Sequence, residues 1–164
     1  MTCLGRAKNL SLAMVGLLMC QFLLGMVVNL FVSIPLHHPG SRSQSFSGVG
    51  RAIAWVIPNG AVALSAHVIL AFALVLISAR HLQVTTSAGR RRWTVLSTVG
   101  VVALLGAAFN GLNFLNEGDN ASSMTMTVLF GVALTCYAVC GFQVAVAIAA
   151  NGKGEPSAAA AWMG

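Results

Sequence analysis

Four long apolar runs alternate with short polar ones along the chain. The first covers about residues 10–34 and holds no charged side chain. At a rise of about 1.5 Å per residue it makes a helix of roughly 37 Å, enough to cross a bilayer with some tilt. Pro35, Pro39 and Gly40 end it. A polar stretch begins at Ser41, and residues 49–57 turn apolar again around Arg51 and Trp55 before Pro58-Asn59-Gly60 breaks the pattern. Two arrangements are open here: a short interfacial helix with Trp55 at the headgroups, or the start of a second helix kinked at Pro58. The first is preferred, because a helix over 52–79 would run roughly 42 Å, well beyond the hydrocarbon core. The second span is about 60–79, ended by Arg80-His81. A polar loop over 80–92 carries Arg90-Arg91-Arg92, and the third span, about 93–115, starts at Trp93 as an interfacial anchor. A short acidic loop over 116–121 leads to the fourth span, about 122–150, and a polar, then Ala-rich tail over 151–164.

This pattern predicts an all-α protein: a four-helix transmembrane bundle in a single domain over 1–164, with short loops that make sequential helices antiparallel neighbours. Ala103, Ala107 and Gly111 recur every fourth residue on the third helix, a small-residue stripe that permits close helix approach. Arg6 and Lys8 ahead of the first run look like the start of a signal peptide. The run is too long for one, however, and no small-x-small site follows it, so the helix is read as retained.

Composition narrows the picture further. Of 164 residues, 57% are hydrophobic and 7% charged, against about 25% charged in a soluble domain. A soluble enzyme, a disordered chain and a secreted disulfide scaffold are thereby excluded. The formal charge is +6, but the basic residues sit between apolar runs, so they set topology rather than bind nucleic acid. Arg6, Lys8, Arg80, Arg90, Arg91, Arg92 and Lys153 fall on one side, and Arg42 and Arg51 on the other with Glu117 and Asp119. That split places both termini in the cytoplasm of a multi-pass plasma-membrane protein.

Function in such a protein is sought among its intramembrane polar groups. Counted from the cytoplasmic anchors, His67 lies roughly 20 Å deep, Asn110 roughly 27 Å, and Asn29 and Asn113 roughly 31 Å. All fall in the outer third of a core about 30 Å thick. With His37, His38, Glu117 and Asp119 above them, these residues form a predicted polar outer cluster with His67 at its floor. Two readings stay open: a pocket opening outward, or helix-to-helix hydrogen bonding among the same groups. His67, read as the only histidine inside a span, is a candidate cofactor ligand for haem. Adjacent histidines seldom share a metal, so His37 and His38 are read as a solvated loop and no metal site is assigned. Cys136 and Cys140 lie four apart on one helix face and are read as packing residues.

The stretches 21–32 (QFLLGMVVNLFV), 34–40 (IPLHHPG) and 109–115 (FNGLNFL) resemble small uncharacterised four-span integral membrane proteins of high-GC bacteria. That likeness covers most of the chain and implies no known activity. A weaker likeness, carried by Leu24-Gly25 and His67, is to one four-helix half of haem A synthase, which implies haem on the second-helix histidine. The second histidine that family places on its fourth helix is absent, as is its acidic residue in the first extracytoplasmic loop.

Three functions follow as expectations. The first is a non-enzymatic accessory or interaction subunit, in a larger membrane complex or a homo-oligomer, surrounded by the lipid bilayer. The second is a haem- or quinone-binding redox protein using His67. The third is a small-solute or ion carrier. No catalytic motif is present.

Overall fold

A computed structural model describes residues 3–152 apart from residues 36, 42–45 and 118–119. Among the described residues the chain is all-helical, with α1 (Cys3–Phe31), α2 (Phe46–Asn59), α3 (Val62–Ser87), α4 (Arg91–Glu117) and α5 (Asn120–Gly152). Four of these, all but α2, are long and apolar enough to cross a membrane.

Helix boundaries differ from the hydropathy reading where backbone chemistry outweighs hydropathy. Helix α1 ends at Phe31, short of the predicted 34, because the chain must leave helical geometry ahead of Pro35. The last bond of this turn runs from Val32 N–H to the Val28 carbonyl at 3.1 Å. Helix α3 passes through Arg80 and continues to Ser87, so most of the predicted loop over 80–92 is helix. It stops where Gly89 takes φ +69°, a left-handed conformation that glycine adopts without a Cβ penalty. Between α2 and α3 the helix breaks rather than kinks. Pro58 supplies no N–H, and Gly60 N–H bonds the Val56 carbonyl at 2.8 Å. A Cβ on Gly60 would stand 2.6 Å from that same oxygen. Ser65 at the start of α3 donates to it as well, at 2.9 Å.

The long helices close into a ring in which α1 packs on α3 and α5, and α4 packs on the same two. Neighbours run antiparallel, because residue numbers rise along one helix as they fall along the next. Ser11 meets His81 and Gln21 meets His67. Phe22 stacks on Phe130 while Ser11 meets Gly141. Gly100 faces Tyr137 and Gly106 faces Leu129. Cys3, Ser87, Arg91 and Gly152 therefore share one end of the bundle, the terminal end, and α2 lies across α3 and α4 at the other.

Three apolar layers fill the interior. At the α2 end, Val28, Ala52, Val56, Leu64 and Leu115 pack together. Met14, Leu18, Leu74, Ala103, Leu104, Ala133 and Tyr137 form the middle layer. Ala7, Val84, Trp93, Cys140 and Val144 close the terminal end. Trp93 is buried there, with the Arg90 guanidinium 5.8 Å above its ring, so it does not extend outward as the expected anchor. The outer surface is apolar: Leu12, Leu23, Leu30, Leu76 and Phe142 are all more than half exposed. Four spanning-length helices with such a surface fit a multi-pass membrane protein.

Candidate functional site

The densest polar group of the bundle lies between its middle and terminal layers. His81, expected to end a span, is fully shielded from solvent, as are Ser11, Thr85 and Ser97 around it. Its Nε2 meets Ser11 Oγ of α1 at 2.8 Å, and its Nδ1 meets Ser97 Oγ of α4 at 3.0 Å. Thr85 Oγ1 stands 3.0 Å from Ser97 Oγ and also reaches the His81 carbonyl at 3.1 Å. From α5, Tyr137 sets its ring edge-on to the imidazole, with centroids 5.1 Å apart, and Cys140 lies beside the two serine hydroxyls. All four long helices contribute. Close approach is what allows this: a Cβ on Gly141 would come within 2.9 Å of Ser11 Cβ, and one on Gly100 within 2.9 Å of Tyr137 Cζ.

A neutral imidazole carries one N–H, and the surrounding hydroxyls accommodate it on either nitrogen. With the proton on Nε2, that N–H donates to Ser11, Ser11 donates to the Ala7 carbonyl at 3.0 Å, and Ser97 donates to Nδ1. With the proton on Nδ1, the bonds at the ring reverse: His81 donates to Ser97, Ser97 to Thr85, Thr85 to the His81 carbonyl, and Ser11 to Nε2 in place of the Ala7 carbonyl. Both arrangements satisfy the whole chain of groups. No carboxylate takes part, both ring nitrogens are occupied, and no atom of the set reaches solvent. The arrangement ties α1, α3 and α4 together and does not present a nucleophile to a substrate.

A second polar pair lies about 14 residues, or roughly 21 Å, further along α3. Gln21 of α1 donates its Nε2 amide to the His67 carbonyl at 3.2 Å, which fixes the amide's orientation. The same nitrogen lies 3.1 Å from His67 Nε2, which must therefore accept. The imidazole proton then sits on Nδ1. That buried N–H has no partner, nor has the buried Gln21 Oε1. Gly25 leaves the ring its space, since a Cβ there would stand 3.1 Å from His67 Cε1. In this arrangement the Nε2 lone pair, the one an iron would need, is engaged by Gln21, and Nδ1 carries the proton.

The predicted outer cluster is dispersed. Asn29 is exposed in the last turn of α1, and Asn110 donates to the Gly106 carbonyl of its own helix at 2.8 Å. Asn113 is half-buried and His37 exposed. No hydrogen bond joins any two of Asn29, His37, His38, His67, Asn110 and Asn113. Glu117 closes α4, and Asp119 lies outside the described residues. His38 is not solvated. It is buried, stacked on Trp55 with centroids 5.1 Å apart and planes at 13°, and its Nε2 donates to the Leu115 carbonyl at 3.2 Å. Adjacent residues in an extended loop point apart, and here one goes out and the other in. Cys136 and Cys140 are buried free thiols. Among the described residues no three His, Cys, Asp or Glu converge to hold a metal.

The chain matches no family model, no curated protein and no solved structure.

Proposed function

We propose that this chain is a multi-pass protein of the plasma membrane, both termini cytoplasmic, acting as a non-enzymatic accessory or interaction subunit of a membrane assembly. The terminal end is then the cytoplasmic one, and α2 lies along the outer interface over the bundle. The observation that carries this reading is the closed hydrogen-bond chain around His81. The most elaborate polar feature of the interior is spent on joining helices, with no open valence left for a ligand or substrate. The packed middle layer between His81 and Gln21 supports the same reading, because it interrupts any polar path along the bundle axis. The test is cross-linking in native membranes followed by purification of the tagged full chain in mild detergent. A reproducible stoichiometric partner, or a defined homo-oligomer, is the expected result. Monomeric protein with neither, in the face of substrate flux in liposomes, would sink it.

A redox reading rests on one observation, the unpartnered Nδ1–H of His67 beside the unpartnered Gln21 Oε1. Such a donor and acceptor suit the carbonyl or hydroxyl of a quinone or quinol better than a metal. Oxidised and dithionite-reduced spectra of haem-supplied protein, beside His67→Ala, test the haem branch, and titration of the same pair with a soluble ubiquinone analogue tests the quinone branch. A Soret band lost in the variant would overturn the assignment made here.

A further inference from the structure

The extension of α3 past Arg80 creates a feature unrelated to the His81 chain. Arg80, Gln83, Val84 and Ser87 stand at i, i+3, i+4 and i+7, one stripe of the helix. The stripe faces Cys3 and Arg6 of α1, and together these six line an open cavity of about 300 Å³ at the terminal end. The two helices are held at this point by Cys3 Sγ, 3.7 Å from the Val84 carbonyl. Arg80 is oriented there by a 3.0 Å bond from its Nη1 to Gln83 Oε1. Among the described residues neither Arg6 nor Arg80 has an acidic partner; Glu117, the one acidic residue among them, closes α4 at the opposite end, and Asp119 and Glu155 lie outside the described residues. Two guanidinium groups on one cavity repel each other unless an anion lies between them. A guanidinium fork matches the planar pair of oxygens of a phosphate.

We propose that this cavity is a phosphate site, taking either the headgroup phosphate of an anionic phospholipid or free inorganic phosphate. Arg6 and Arg80 make the charge-assisted bonds. The cavity opens at a helix end, where lipid headgroups lie when the bundle spans a bilayer. The site stands whether or not the chain is an accessory subunit.

The test uses the full chain in nanodiscs of phosphatidylcholine, with phosphatidylglycerol added as one probe and inorganic phosphate as another. Retained lipid is read by native mass spectrometry, and stabilisation by thermal unfolding. Arg6→Gln/Arg80→Gln is compared with Arg91→Gln/Arg92→Gln, which removes equal charge from exposed positions at the same end. The expected result is one retained phosphatidylglycerol whose affinity falls about tenfold or more in the first variant and less than about twofold in the second. Competition by millimolar phosphate would assign the site to free phosphate, and its failure to compete would assign it to the lipid headgroup. Equal loss in both variants, or no retained probe of either kind, would overturn the proposal. If Arg6→Gln/Arg80→Gln unfolds, Arg80→Lys decides: it keeps the charge and loses the fork, so weakened binding with an unchanged fold supports the site, and unchanged binding overturns it.

Discussion

At the scale of single residues, the bundle contains polar groups that are satisfied and polar groups that are not, and substitution should distinguish them. Replacing His81 with Leu strips Ser97 and Ser11 of a buried partner, and Thr85 loses the hydroxyl network it joins. A loss of about 1–3 kcal/mol is expected, read as a lower unfolding midpoint in detergent titration. Tyr137 is the opposite case. Its hydroxyl is buried without a hydrogen bond, and its neighbour Ser78 already donates to the Val75 carbonyl at 2.7 Å. Tyr137→Phe removes an unsatisfied group while keeping the ring against His81, so stability should hold or rise by up to about 1 kcal/mol. Gly100→Ala should destabilise, and Tyr137→Phe should not rescue it, because the obstructing atoms are the ring carbons Cζ and Cε2. A rescue would show that the hydroxyl, not the ring, fills that space.

At the scale of elements, α2 is the piece most dependent on its neighbours. It is 14 residues long, it ends at a proline–glycine break, and the buried His38 stacks on its Trp55. His38 joins the Trp55 ring of α2 to the last turn of α4 through the Leu115 carbonyl. Without that imidazole, α2 loses its link to α4 through Leu115, while the apolar contacts of Ala52 and Val56 and the Ser65 bond to the Val56 carbonyl remain. In His38→Ala, amide exchange should accelerate across α2 while α4 and α5 exchange as before. Unchanged protection in α2 would mean that its apolar face alone holds it down.

Across the whole molecule, the four cysteines report both the packing and the orientation. Cys136 and Cys140 are buried, and Cys3 and Cys20 are exposed. Cys20 sits mid-helix on the lipid side, where a water-soluble reagent reaches it slowly. A membrane-impermeant maleimide on intact cells should leave Cys3 unlabelled and label His37→Cys, since His37 is exposed at the α2 end. Permeabilised cells should add Cys3, and only denaturation should add Cys136 and Cys140. Labelling of Cys3 in intact cells would reverse the orientation proposed above and move the basic cavity to the outer face.

Spans of the right number and approximate place were legible from hydropathy, because a bilayer-crossing helix must be apolar over its whole length. The break at Pro58–Gly60 was legible too, because missing donors and backbone crowding are local. The far ends of the helices were less so: α3 continues past a charged residue because Arg80 lies on an exposed face while His81, the next residue, turns inward. A membrane helix is apolar on every side, so its sequence carries little sign of which face meets a neighbour and which meets lipid. For that reason Asn29, deep by residue count, proves to face outward, and His81, grouped with the loop, proves to be the centre of the polar interior. His81 finds its partners 70 residues back in α1 and 16 ahead in α4. No local pattern encodes such a meeting; it exists only once the antiparallel register of the helices brings Ser11, His81 and Ser97 to the same depth.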